Sequence, residues 1–126
     1  QTIKILTNEP ADIFANPTYI PEDMQADYDK YWTDERINRV LDVMQKHSIA
    51  LEINPRYKIP SMKIIQMAKD RGLKFTFGTN NVDANFGKLE YCIEAIKQCG
   101  ITADDIWFPS MSIRKDRPVV IYNKFD

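Results

Sequence analysis

The chain is poor in the residues most often used for chemistry. It has one histidine and two cysteines in 126 residues. The histidine, His47, lies between a helical pattern and an apolar run. There it would sit at a helix C-terminus, which favours a cation, and on the stability edge of an α/β sheet rather than the ligand edge. Cys92 and Cys99 are seven residues apart in one helical pattern. At a rise of about 1.5 Å per residue that is about 10 Å along the axis, too far for a disulfide. They read as small buried apolar residues, and neither belongs to a nucleophile motif. A Ser-His-Asp or Cys-His system within this chain is argued against. Charge of one sign is also lacking: 17 Lys+Arg face 18 Asp+Glu, a formal net charge of −1. There is thus no electrostatic case for nucleic acid or a membrane surface as partner. No apolar run approaches the roughly 20 residues of a transmembrane span.

The chain does contain alternating strand and helix patterns, at a length suited to a single domain over 1–126. In Gln1–Pro10, Ile3, Ile5 and Leu6 fit a helix end or a short strand. Ala11–Ala15 predicts a buried strand stopped at Asn16-Pro17, since proline cannot donate a ladder hydrogen bond. Thr18–Trp32 is a long aromatic connection, either functional or folded over something. Thr33 is a candidate N-cap with Asp34 and Glu35 behind it. Ile37, Val40, Leu41 and Met44 then repeat at helical spacing to about Lys46. Ile49–Ile53 predicts a strand covered on both faces, apolar but for Glu52. Pro60-Ser61 opens a helix with Met62, Ile65, Met67 and Ala68 toward the core, closed at Gly72. Leu73–Phe77 is strand-like. Phe86–Cys99 predicts a helix with Leu89, Cys92, Ile93 and Ile96 inward, closed by Gly100. Thr102–Asp105 reads as a capped turn, Ile106-Trp107-Phe108 as a short strand before Pro109, and Val119–Tyr122 as a final β-like run.

Strands alternating with helices mean an α/β fold with a parallel sheet and right-handed crossovers. Four such units are about half of a (β/α) barrel, which typically needs about 250 residues. A half barrel cannot close. It would form a small open sandwich, pair with another copy in a homo-oligomer, or be the C-terminal half of a longer barrel protein. The last is the expectation, in keeping with a start at Gln1 without a signal-like segment.

Several short motifs carry a resemblance. They are Ala50-Leu51-Glu52-Ile53-Asn54, Pro60, Ala68-Lys69-Asp70-Arg71-Gly72, Phe77-Gly78-Thr79-Asn80-Asn81, Gly87-Lys88-Leu89-Glu90, and Gly100-Ile101 with Asp105-Ile106-Trp107. In order and spacing they resemble the C-terminal half of the PHP (polymerase and histidinol phosphatase) superfamily of metal-dependent phosphoesterases, over about Ala11 to Pro109. The resemblance implies a partial, TIM-like (β/α) barrel with a metal cluster at the strand carboxyl ends. It also implies where ligands should stand. A metal-binding histidine belongs at the position of Asn16, an aspartate at Asn80 and a histidine at Val82. All three are replaced. Zinc, manganese and iron favour imidazole, thiolate or carboxylate. No metal site is therefore expected from this half, and any divalent cofactor would need ligands from a missing N-terminal half.

The candidate site is the carboxyl edge of the sheet. Asn16, Asn54 and Asn80 end three strands, with Asn81 beside the last. They could form a ring of amides for a neutral polar ligand such as a sugar. They could equally be turn residues, since asparagine tolerates left-handed backbone. Glu52 must be paired or solvated: it either faces the mouth as base or ligand, or pairs with Arg56, Lys58 or Lys74. Arg56, Tyr57 and Lys58 could hold an anion. Thr79 belongs to a Gly78-Thr79-Asn80-Asn81 turn that resembles a phosphate cradle weakly. Asp83 could rescue one metal contact, and Tyr19, Tyr28, Tyr31 and Trp32 could stack on a sugar or pack over the barrel. Three functions follow: a metal-dependent hydrolase of PHP-like ancestry with degenerate ligands, a non-catalytic module binding a small polar or anionic molecule, or a purely structural or oligomerisation role for the half barrel.

Overall fold

In the computed structural model, which describes residues 1–79, 83–84 and 87–109, helices and strands alternate. The order is α1 (Thr2–Asn8), β1 (Ile13–Phe14), α2 (Tyr28–Tyr31), α3 (Asp34–His47), β2 (Ala50–Ile53), α4 (Met62–Asp70), β3 (Phe75–Phe77) and α5 (Glu90–Cys99). Tight 3-10 segments cover Glu22–Asp27 and Ala103–Asp105. Gln1–Pro10, open between two readings, is helical. The expected run at 119–122 lies outside the described residues. Among these, no helix is long and apolar enough to cross a membrane.

Local chemistry explains the helix ends. Thr33 Oγ1 accepts the Arg36 N–H at 3.4 Å, with Asp34 and Glu35 in the first turn of α3 and Lys46 and His47 in the last. Ser61 Oγ accepts the Ile64 N–H at the start of α4. Gly72, at φ 74, takes the left-handed turn that lets the Leu73 N–H reach back to the Ala68 carbonyl. The helix read as Phe86–Cys99 begins at Glu90.

β1, β2 and β3 form a parallel sheet with β2 in the middle. The expected fourth strand contracts to one parallel bridge, Phe75 with Ile106, and the Trp107 N–H donates to the Phe75 carbonyl at 2.9 Å. Pro109 blocks further pairing in that direction. The register places Phe14, Leu51 and Phe75 abreast, with Ile53 and Phe77 on the same face. The core gathers around that face: Phe75 and Ile53 are fully buried, as are Met44 of α3, Ile65 and Ala68 of α4, and Ala95 of α5.

Three expectations need correcting. β1 is an edge strand with Ile13 exposed, because no strand among the described residues covers its outer side. β2 is covered on both faces at Ala50 but not at Glu52, which with Ile13 and Thr76 lies on the less buried face. α5 is rotated from its expected phase. It buries Tyr91, Cys92, Ala95 and Cys99, while Leu89 and Ile93 are exposed. The small Cys92 and Ala95 let α5 approach the sheet and α4, and the Tyr91 hydroxyl anchors it by donating to the Pro60 carbonyl at 2.5 Å. In α4, Ile64 joins Ile65 and Ala68 in the core, and Met62 and Met67 are only partly covered.

The turn after α5 is tied to α4. Thr102 and Asp105 form a capping box, and Lys69 Nζ reaches Asp105 Oδ2 at 3.2 Å. The Thr102 backbone N–H, then Lys69, hold the Asp105 carboxyl below its ordinary 3.8. A depressed folded-state pKa adds stability above the unfolded value and loses it as pH falls through the folded one. Acid titration of stability should therefore be shallower below about pH 4 in Asp105→Asn than in the parent. In urea melts, Ile65→Ala should cost about 2–5 kcal/mol by leaving a core cavity, and Ser61→Ala about 1 kcal/mol by removing a cap.

Candidate ligand site at the carboxyl edge of the sheet

Because the strands are parallel, Phe14, Ile53 and Phe77 all end on one edge. Asn54, the first residue past β2, organises that edge and is 1% exposed. Its Oδ1 accepts the backbone N–H groups of Arg56 at 3.0 Å and Tyr57 at 3.2 Å. Its Nδ2 donates to Asn16 Oδ1 at 2.7 Å and to Glu52 Oε1 at 3.3 Å. Its backbone exchanges both hydrogen bonds with Ile59, closing the intervening loop. A side-chain amide has two donor hydrogens and two acceptor lone pairs, so every hydrogen-bonding position of this one is occupied.

The structure thus brings Asn16 and Asn54 together, side chain to side chain. Asn16 itself has left-handed backbone, φ 46. Asn80 and Asn81, like Val82, lie outside the described residues.

Glu52 is half-buried between these groups. Its Oε1 accepts the Asn16 N–H at 3.1 Å as well as the Asn54 amide. The ion pair, one of the two alternatives weighed for it, is not made: among the described residues no cation lies within salt-bridge distance. Arg56 pairs with Asp83 instead, and Lys74 donates to the Asp104 carbonyl. Gly78 packs flat against the carboxylate, and a Cβ placed there would fall 2.6 Å from Glu52 Cδ and Oε2. The same charge lies near the buried Cys92 thiol, which burial first and Glu52 second push up to about 11.

Beside this hub opens a cleft of about 760 Å³. Pro55–Lys58 after β2 form one wall, with Thr79 and Asp83 from the segment after β3. Tyr19, Glu22 and Gln25 enter from the aromatic connection, and Lys88, Glu90 and Tyr91 from the start of α5. Arg56 donates to Asp83 Oδ2 at 2.8 Å and stands 5.9 Å from the centre of the Tyr57 ring. Asp83, weighed above as a metal contact, holds a guanidinium whose pKa its hydrogen bond raises further. Tyr57 meets Tyr19 edge to face at 5.0 Å. Lys58 projects from left-handed backbone, φ 51, where the Asn54–Ile59 closure forces it.

The aromatic connection divides between packing and site. Tyr28 and Trp32 fold against the core, Trp32 Nε1 donating to the Thr18 carbonyl at 3.1 Å. The Tyr28 hydroxyl accepts the Ser61 N–H, and burial raises its pKa. Tyr19 and Tyr31 are exposed. Glu22, Gln25 and Glu90 were not expected in the site; Pro21 followed by two acidic residues was the available signal that a helical turn would carry the first two there. His47 closes α3 at the opposite edge, as expected. Among the described residues, no group of three or more His, Cys, Asp or Glu side chains is arranged to hold a metal ion.

Asn54→Ala should destabilise the protein by about 2–4 kcal/mol in equilibrium unfolding, because it leaves buried partners without hydrogen bonds. A loss below about 0.5 kcal/mol would contradict the hub.

Compared with protein-family models, with curated proteins and with solved structures, the chain matches none of them.

Proposed function

We propose that the chain is part of a PHP-like (β/α) barrel and that the carboxyl edge of its sheet binds a small polar molecule, the superfamily's metal-dependent phosphoesterase chemistry being its ancestry. The observation that carries this reading is the cleft of about 760 Å³ beyond β2 and β3. That volume falls within the roughly 300–1,000 Å³ of small-molecule sites, and α/β sheets bind ligands at this edge. The barrel part draws support from the sheet. One face, with Leu51, Ile53 and Phe75, is buried; the other buries Ala50 but leaves Ile13 exposed and Glu52 and Thr76 only partly covered. Half a barrel would leave such a face, for a second set of strands or another copy of the chain to enclose.

Glu52 favours a second reading in which hydrolysis persists. A carboxylate at a strand's carboxyl end, with one oxygen fixed by two donors, is placed for a general base or a metal contact. The surrounding residues do not themselves fit zinc, manganese or iron. The Asn16 amide oxygen is engaged by Asn54 and Asp83 by Arg56, so no step through a metal follows from the described residues.

Thermal melts of the full chain against neutral, anionic and phosphorylated small molecules test the first reading. At a hundredfold excess over Kd a true ligand adds about 2.7 kcal/mol, a rise of several degrees in Tm. The rise should vanish in the Arg56→Ala, Tyr57→Ala double variant. Stoichiometric zinc, manganese or iron together with turnover of phosphomonoesters would replace this reading with the hydrolase.

A further inference from the structure

We infer that the molecule taken by the cleft is neutral and hydroxylated, a saccharide ring packed against the exposed Tyr19–Tyr57 pair, rather than a phosphorylated or otherwise anionic compound. This rests on the ligand-binding reading of the cleft and gives its substrate class.

The first support is the order of groups along one wall. Asp83, Arg56, Tyr57 and Tyr19 form a continuous row: an ion pair at 2.8 Å, a guanidinium 5.9 Å from an aromatic centre, and an edge-to-face aromatic pair at 5.0 Å. The row draws on the segments after all three strands, so it belongs to the mouth rather than to one loop. Tyr19 is 49% exposed and Tyr57 37%. Two large rings left this bare beside a cavity offer apolar faces with a polar tip. A saccharide presents the complement, a face of C–H groups rimmed by hydroxyls.

The second support is charge. The described lining residues include three cations, Arg56, Lys58 and Lys88, and three anions, Glu22, Asp83 and Glu90. Arginine is the side chain whose planar fork grips phosphate or carboxylate bidentately, and the guanidinium that lines this cleft is already on Asp83. A hydroxyl both donates and accepts. A guanidinium and a carboxylate side by side satisfy neighbouring hydroxyls without any net ligand charge.

The third is space. A smaller hollow of about 200 Å³ shares Tyr19, Gln25, Tyr57 and Lys58 with the cleft and continues toward Tyr28 and Ser61. The tyrosine pair therefore stands between two cavities, with room for a second ring.

Calorimetric titration of the full chain with methyl glucoside, N-acetylglucosamine, cellobiose and lactose, set against glucose phosphate and glucuronate, tests this. At least one neutral saccharide should bind saturably, with the charged compounds at least about tenfold weaker. Tyr19→Ala and Tyr57→Ala should each weaken binding by about tenfold, and Tyr57→Phe should retain most of it. Amide chemical-shift changes in the parent protein should centre on Tyr19, Gln25 and Tyr57, a readout that does not depend on the variants folding. Binding of the charged compounds alone would overturn the saccharide inference while leaving the cleft a ligand site. Saccharide binding that both alanine variants retain, or shifts that fall elsewhere, would overturn it as well. If no compound of either kind bound, the inference and the reading beneath it would fall together.

Discussion

The geometry of the mouth depends on a single buried amide. Asn54 joins β1 to β2 through Asn16, steadies the Glu52 carboxylate, and holds the backbone of Arg56 and Tyr57 in a closed loop. The arrangement requires a neutral group with donors on one side and acceptors on the other. An aspartate there would set a second carboxylate against Glu52 and could not donate to Asn16. An alanine would leave two loop N–H groups and two acceptors without their partner. In a low-dielectric setting such a group is favourable only when every bond is made, as it is here.

That hub separates two kinds of residue. The backbone of the Asn54–Ile59 loop is pinned at both ends, while Arg56, Tyr57 and Lys58 are exposed. A pinned loop with exposed side chains loses little backbone entropy when something binds to it. The ion pair of Arg56 with Asp83 extends the constraint across the cleft to the segment after β3. Being partly exposed, that pair contributes little to stability; its effect is on where the guanidinium points.

Much of the scaffold was legible in the sequence. The alternation of apolar runs with helical periods gave the parallel α/β sheet. Thr33, Ser61, Gly72 and Gly100 marked helix ends because each meets a local backbone demand that does not depend on the rest of the chain. The phase of α5 was harder. Leu89 and Ile93 extend an apolar stripe through Ile96 that rivals the buried one, but close approach through Cys92 and Ala95 leaves Leu89 and Ile93 exposed and Ile96 only partly covered. β1 looked buried because composition does not reveal which strand lies at an edge. Within the site, the position of Arg56, Tyr57 and Lys58 past β2 followed from chain order alone. What they touch did not, since Tyr19 and Asp83 are distant in sequence.

Glu52 shows most plainly why a pairing rule fails at such an edge. Of its candidate cations, Arg56 is taken by Asp83, and Lys74 lies before β3, at the opposite end of the sheet, where it meets the Asp104 carbonyl. Hydrogen bonds from a backbone N–H and an amide stabilise a carboxylate without neutralising it. Gly78 lies against that carboxylate in place of a bulkier neighbour. A paired carboxylate would have been structural and spent. Among the described residues Glu52 is held by neutral donors, and it lies on the face of the sheet that carries Ile13 and Thr76, at the edge where the strands end.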